Sequence, residues 1–158
     1  MKFLKAMNNN KRTKNLSLRD IHVGDWVQVW KEGPKEYTPP LRVISIHDDG
    51  NIHLVLSDDG RCEPWEENIK NVDALPVTPS VLMGFGFEVK KESYCKIAYE
   101  ILYQGKPIAT LSTYIYPGKP ELILKGRRCN YIHEFCGLLD ELGIELKLEW
   151  KGYEGDKV

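Results

Sequence analysis

Residues 41–65 read LRVISIHDDGNIHLVLSDDGRCEPW, and this stretch decides the fold of the first half of the chain. Two Asp-Asp-Gly triplets, at 48–50 and 58–60, separate the apolar runs at 41–47 and 51–57. Glycine tolerates the positive φ angle that tight hairpins require, so this spacing predicts a meander of short antiparallel strands. The triplets lack the alternating oxygen ligands of a calcium loop, which favours hairpin turns over a calcium site.

An earlier strand is predicted just before the meander, within GDWVQVW at residues 24–30. Val27 and Val29 fall on one face of this strand, and the tryptophans fall on the other. Several short strands within about sixty residues favour a closed sheet, because closure removes exposed strand edges. We therefore predict an SH3-like small β-barrel over residues 16–75.

Aromatic side chains are the candidate binding residues of this barrel. Small barrels often use such side chains to build grooves for peptides, so they are candidates for contact with a protein partner. The alternative is that the tryptophans fill the two ends of the barrel. This alternative is favoured, because large aromatic side chains contribute most of the buried area in small cores. The candidates are Trp26, Trp30, Tyr37 and Trp65.

Residues 76–150 predict a separate α+β unit. Its start is marked by ALPVTPSVLMGFGF, in which Thr78 is a good N-cap, Pro79 suits the first helical position and Gly84 can end a short helix. The segments FEVKK, YCKIAYEIL, PIATLSTYIY and ELILK then predict the strands of an antiparallel sheet.

A longer helix and a final strand are predicted at the end of this unit. Asn130 can cap a helix that runs to Leu142, and Gly143 can end that helix in the left-handed conformation. Residues 144–150, IELKLEW, alternate between apolar and charged, which is typical of a half-buried antiparallel strand. The predicted fold class is β-rich α+β, and residues 151–158 are expected to be a disordered tail.

The segment CNYIHEFC places Cys129, His133 and Cys136 at helical spacing. A zinc site would need a fourth ligand, and a Cys–His nucleophile would need side chains that converge, whereas three positions on one helix point outward in parallel. Packing beside the apolar stripe of the helix is therefore favoured. Cys62 and Cys95 are widely separated from this pair, which is typical of reduced thiols in a cytoplasmic protein.

No enzyme site can be assembled from the remaining polar residues. The other histidines, His22, His47 and His53, are dispersed, and His53 is expected on the solvent face of its strand. We predict no catalytic residues, no cofactor and no metal site. No segment approaches the roughly 20 apolar residues that span a bilayer, and the N-terminal residues do not form a secretory signal.

Charge is unevenly distributed along the chain. Residues 1–14 carry five basic and no acidic residues, whereas residues 15–75 carry six basic and twelve acidic residues. We expect residues 1–15 to be a disordered basic tail. Because nucleic-acid binding requires basic residues that face the phosphates, the acidic barrel leaves as candidate contacts Lys11, Arg12, Lys14, Lys125, Arg127 and Arg128.

The order of these parts resembles a group of small uncharacterised proteins from Bacteroidetes genomes and their phages. The similarity rests on GDWV, LPVTPSVLMGFGF and YIHEFCGLLDELGIELKL, which match a layout of initial barrel, PLTPEIL-like turn and C-terminal helix and strand. The chain departs from that layout at Ser80–Val81, where an acidic residue is favoured, and at 133–136, where leucine and glutamine are favoured. The resemblance implies a bacterial or phage-type cytoplasmic setting and no known activity.

Two functions are expected on this basis. The first is a non-catalytic interaction protein that binds a protein partner through the barrel aromatics or an exposed sheet edge. The alternative is a nucleic-acid-associated accessory protein that acts through its basic residues.

Overall fold

The computed structural model describes residues 12–56, 63–91, 98–112 and 120–152. The described chain is β-rich, with two antiparallel sheets and two α-helices, which confirms the predicted β-rich α+β class. It divides into two compact units, residues 1–75 and residues 76–158. No helix in the described part of the chain is long and apolar enough to cross a membrane.

The first unit contains a six-stranded sheet. The meander predicted from residues 41–65 is present as three consecutive antiparallel strands, and Gly50 has the positive φ of 94° that the first Asp-Asp-Gly turn requires. The second triplet lies outside the described residues. A single 3₁₀ turn, Ile69–Asn71, connects the meander to the last strand. The strands are β1 (Trp26–Lys31), β2 (Glu36–Tyr37), β3 (Leu41–Ile46), β4 (Asn51–Val55), β5 (Trp65–Asn68) and β6 (Val72–Ala74).

The first and last strands of this sheet are neighbours. Val27 of β1 faces Leu41 of β3 on one side and Ala74 of β6 on the other. The sheet therefore runs from β6 through β1, β3 and β4 to β5, with β2 beside the second half of β1. This order makes β6 and β5 its two outer strands.

The core of the first unit is built by alternating side chains of these strands. Buried and half-buried positions alternate along 41–44 of β3 and 51–54 of β4, so one face of the meander is covered. Five of the six residues of β1 are buried, because both faces of that strand are covered. Fully buried side chains include Val27, Val29, Leu41, Val43, Ile52 and Leu54.

The second unit contains a five-stranded meander and two helices. In the two-residue turn at Gln104 and Gly105 both residues have positive φ angles, as in a type I′ turn. The strands are β7 (Glu88–Lys91), β8 (Ala98–Tyr103), β9 (Lys106–Ser112), β10 (Glu121–Leu124) and β11 (Arg127–Cys129), in that order across the sheet. The helices are α1 (Pro79–Gly84) and α2 (Ile132–Glu141).

Helix α1 begins as predicted and ends differently. The side chain of Thr78 accepts a hydrogen bond from the Val81 N–H at 3.3 Å. Gly84 is the last helical residue, and Gly86, with φ 91°, takes the left-handed conformation instead. Gly84 is required for another reason, because a β-carbon there would lie 2.3 Å from the indole ring of Trp150.

Helix α2 begins one residue later than the Asn130 cap would place it. Tyr131 is the N-cap residue, and the Glu134 carboxylate accepts hydrogen bonds from the N–H groups of Asn130 and Tyr131 at 3.0 and 3.2 Å. At the other end Gly143 has φ 69°, and the Ile144 N–H donates to the Leu139 carbonyl at 2.9 Å. The predicted left-handed termination is therefore confirmed.

The predicted final strand at residues 144–150 is not paired with another strand among the described residues. Among the described residues this segment joins neither sheet, although it keeps the predicted alternation, with Leu148 buried between exposed charged residues. Alternation determines which side chains are buried, but a ladder also needs a strand edge beside the segment. Here the chain packs on α1 instead, where Trp150 meets Phe85 edge-on with ring centroids 5.0 Å apart and the Lys151 N–H donates to the Gly84 carbonyl at 2.7 Å.

Candidate functional site

The four predicted partner-binding aromatics lie in different environments. The exposed fractions of Trp26 and Trp30 are 3% and 5%, so neither ring is presented to a partner. The Trp30 indole N–H donates to the Glu32 carboxylate at 2.6 Å, and its ring meets Tyr37 edge-on at 4.9 Å. Tyr37 and Trp65 are half-buried, and they lie near opposite edges of the sheet.

Tyr37 contacts a fully buried carboxylate, that of Asp73 in β6. The Tyr37 hydroxyl donates to Asp73 Oδ2 at 2.7 Å, and Arg12 donates to both carboxylate oxygens, through Nε at 2.9 Å and Nη2 at 2.5 Å. Asn15 adds a further hydrogen bond at 3.2 Å. The structure thus brings one residue from each predicted site, Tyr37 and Arg12, onto a carboxylate that the sequence analysis did not single out.

Residues 12–16, hereafter the strap, lie along the outer side of β6. Asn15 pairs with Asp73, the Leu16 N–H donates to the Val72 carbonyl at 2.9 Å, and the Ala74 N–H donates to the Lys14 carbonyl at 2.7 Å. Residues 12–15 of the predicted tail are therefore held in place, by backbone hydrogen bonds at 14–16 and by the side chain of Arg12, and residues 1–11 lie outside the described part of the chain. The sequence signal for Asp73 was a single acidic residue inside the apolar run VDAL at 72–75. A carboxylate that is buried with such a run requires a partner.

The environment of this cluster changes the acidity of its members. Burial of the phenol, together with its hydrogen bond to Asp73, raises the pKa of Tyr37 to about 12, against the opposing effect of Thr13. The pKa of Arg12 is also raised, chiefly by its hydrogen bond to Asp73. Both groups therefore stay protonated at neutral pH and donate to the carboxylate.

The outer strand at the other end of the sheet, β5, differs from β6. No strand pairs with its outer side among the described residues. The Ile69 N–H donates to the Gly50 carbonyl on the β4 side at 2.7 Å. Since successive residues of a strand alternate in the direction of their backbone groups, those of Glu66 and Asn68 point away from β4. Within the described ranges this edge therefore presents unpaired backbone donors and acceptors.

Trp65 lies at the start of this open edge. It is opposite the buried Leu54, so its ring covers the margin of the core while the residue stays half-exposed. Its indole N–H is buried and has no hydrogen-bond partner in the part of the chain that the structure describes. Glu63 and Glu66 are exposed beside it, so the edge is acidic.

A polar row crosses the outer face of the sheet to the same edge. Ser45, His53 and Glu66 face one another on β3, β4 and β5. The Ser45 hydroxyl lies 2.8 Å from His53 Nδ1 and 3.3 Å from His47 Nε2, and His53 Nε2 lies 3.7 Å from the Glu66 carboxylate. A bulge in β3 between Val43 and Ser45 brings the serine opposite His53, which sequence periodicity does not predict.

The predicted nucleic-acid contacts are largely engaged with carboxylates. Arg127 pairs with Glu141, at 3.1 Å in its shorter contact, and Arg128 pairs with Glu121 at 3.1 Å. Arg12 is held by Asp73, Lys11 lies outside the described residues, and Lys14 and Lys125 are exposed. Neighbouring carboxylates reduce the positive potential that attracts phosphates, so the nucleic-acid hypothesis stays a prediction with less support from geometry.

The predicted cysteine–histidine triplet does not lie on one helix. Cys129 belongs to β11 and is buried, whereas His133 and Cys136 are half-buried on α2. Burial, followed by the charges of Glu134 and Glu121, raises the pKa of the Cys129 thiol to about 12. The protonated thiol is a poor nucleophile, which favours packing over catalysis. Cys62 and Cys95 lie outside the described residues.

A pocket of about 310 Å³ lies between β11 and α2. Its lining includes Arg127, Arg128, Cys129, Glu134 and Glu141. Arg127 is bonded to Glu141 through both terminal nitrogens and Arg128 pairs with Glu121, so the pocket offers little unpaired charge to a ligand.

Comparison of the chain with protein-family models found no match, and comparison with curated proteins found none either.

Proposed function

We propose that this chain is a non-catalytic interaction protein whose first unit binds an extended segment of a protein partner along the outer side of β5. The observation that carries the proposal is the contrast between the two outer strands of one sheet. One holds an added extended segment, and the other has a free ladder among the described residues. An unpaired edge is a template for strand addition, in which backbone hydrogen bonds give affinity and side chains give specificity.

The proposed partner segment is basic and contains arginine. Glu63 and Glu66 are exposed on the edge, in a region of the sequence with six basic and twelve acidic residues. An arginine can pair with such carboxylates and also stack on the half-exposed ring of Trp65. The strap supplies a precedent for this chemistry, because Arg12 anchors an extended segment to the same sheet.

The SH3-like barrel is part of the same proposal. Support comes from the single 3₁₀ turn before β6 and from the return of β6 to β1 after the meander. Grooves that receive extended peptides are a common use of small barrels. The bacterial or phage-type cytoplasmic setting implied by the resemblance belongs to the proposal as well.

A peptide-selection experiment tests the proposal without knowledge of the natural partner. The full chain is immobilised and screened against a random peptide library, and the dissociation constant of a selected arginine-containing peptide is measured by fluorescence anisotropy. We expect Trp65→Ala to weaken binding at least about tenfold, since aromatic anchors carry a large share of interface energy.

Two substitutions at one position separate backbone pairing from charge. Glu66→Ala removes the carboxylate and keeps the outward N–H, whereas Glu66→Pro removes both, and proline is tolerated at outward positions of edge strands. We expect the proline variant to bind more weakly than the alanine variant. Selected peptides that bind both Glu66 variants and Trp65→Ala as tightly as the parent chain would rule out the β5 edge.

A further inference from the structure

The histidines that are dispersed in the sequence are close together in the fold. The rings of His47 and His53 have centroids 5.0 Å apart at an interplanar angle of 73°. His47 follows the end of β3, and His53 lies in β4 across the first hairpin turn. The hairpin therefore places both imidazoles on the outer face of the first sheet, where both are accessible.

One nitrogen of each ring is directed at the same point. His47 Nε2 and His53 Nδ1 lie 3.3 and 2.8 Å from the hydroxyl oxygen of Ser45, which is therefore shared between the two imidazoles. Two neutral imidazole nitrogens that converge on one position are the donor set that divalent zinc, nickel and copper favour.

The other nitrogen of His53 has a carboxylate beside it. His53 Nε2 lies 3.7 Å from Glu66 Oε2, on the side of the ring opposite Ser45. Metal-bound histidines commonly donate their second N–H to a carboxylate, which fixes the tautomer and makes the ligating nitrogen a better donor. Ser45, His53 and Glu66 have this arrangement, because they face one another across three strands.

We propose that His47 and His53 bind a divalent first-row transition-metal ion, with Glu66 as the supporting carboxylate of His53. Among the described residues no three His, Cys, Asp or Glu side chains are grouped to hold a metal, so the chain supplies two nitrogen ligands. Ser45 and water molecules complete the coordination. Such an open site leaves positions for a group from a second molecule, and the proposal does not depend on the function proposed for β5.

Calorimetric titration of the full chain with nickel chloride tests the site. We expect saturable binding of one equivalent, and loss of that binding in His47→Ala and in His53→Ala. Glu66→Gln keeps both ligands and removes the supporting charge, so its dissociation constant should rise about 10- to 100-fold. His22→Ala is the matched control, because His22 is exposed on the same unit and contacts Asp25 instead, and it should bind as the parent chain does.

Two further measurements keep the result decisive. Circular dichroism checks that each variant is folded, and His47→Ala is the informative variant if His53→Ala is not, because His47 lies outside the strands. Paramagnetic broadening by nickel should affect the ring signals of His47 and His53 before those of His22. The proposal is overturned by the absence of stoichiometric binding, by binding that survives in folded His47→Ala, or by binding that is lost on alkylation of the thiols.

Discussion

The two outer strands of the first sheet differ in whether a further segment of the described chain pairs with them. At β6 a segment of the chain completes the ladder, and a buried carboxylate is satisfied by Arg12, Asn15 and Tyr37. At β5 the described chain adds no strand, and an indole N–H stays without a partner. The difference teaches that an edge of this sheet is protected where an added segment brings both backbone hydrogen bonds and a partner for a buried charge.

The largest expected effect is the loss of Arg12. Arg12→Ala leaves the Asp73 carboxylate, which is fully buried, without its bidentate partner. Removal of one member of a buried ion pair costs about 3–5 kcal/mol, so the free energy of unfolding in urea should fall by about 3 kcal/mol. Arg127→Ala is the control, because the Arg127–Glu141 pair is exposed and should contribute less than about 1 kcal/mol. Equal losses in the two variants would mean that the strap does not protect β6.

A smaller effect is expected for the hydroxyl of Tyr37. Tyr37→Phe keeps the ring against Trp30 and removes one donor to Asp73, which should lower the free energy of unfolding by about 1–2 kcal/mol. Tyr103→Phe is the matched control, since the ring of Tyr103 packs near Phe87. A change below about 0.3 kcal/mol in Tyr37→Phe would contradict the role given to the hydroxyl.

The same hydroxyl predicts a pH dependence. The pKa of Tyr37 is raised from 10 to about 12 in the folded chain, so unfolding releases its proton at a pH between these values. Its contribution to stability is therefore complete below pH 10 and is lost as the pH rises toward 12. Chemical denaturation at several alkaline pH values should show a steeper loss for the parent chain than for Tyr37→Phe. Parallel profiles would argue against the raised pKa.

The smallest effect is expected at the open edge. Glu66→Ala changes an exposed residue whose outward backbone groups support no ladder in the described chain, so the free energy of unfolding should change by less than about 0.5 kcal/mol. Thermal unfolding of this variant beside Arg12→Ala measures the difference between the two edges directly. A large loss in Glu66→Ala would show that β5 is stabilised by its side chains and is not an open edge.

Local signals explain which parts of the fold could be predicted. The strands at 41–46 and 51–55 and the left-handed end of α2 each depend on residues close in sequence, and the structure has all of them. The contact between Arg12 and Asp73 joins residues 61 positions apart, and neither residue has a local pattern that indicates its partner. The final strand was predicted from alternation alone, which determines burial but not pairing.

For the candidate sites, too, local sequence was informative and long-range packing was not predictable. Residue type indicated which side chains could bind a partner, but only tertiary packing decided that Trp26 is buried and that Trp65 stays half-exposed. The convergence of His47 and His53 depends on a hairpin and a bulge, and bulges have no reliable sequence signature.

The strap also has a consequence for the order in which the protein is made. Arg12 is synthesised 61 residues before the carboxylate that it binds. At ribosomal rates of about 5–20 residues per second, this separation corresponds to roughly 3–12 s. During that time the side of β1 that pairs with β6 is open, and the sheet of the first unit is completed only when β6 has been made. Slow translation just before Val72 would prolong exposure to other nascent chains, whereas fast translation there would shorten it.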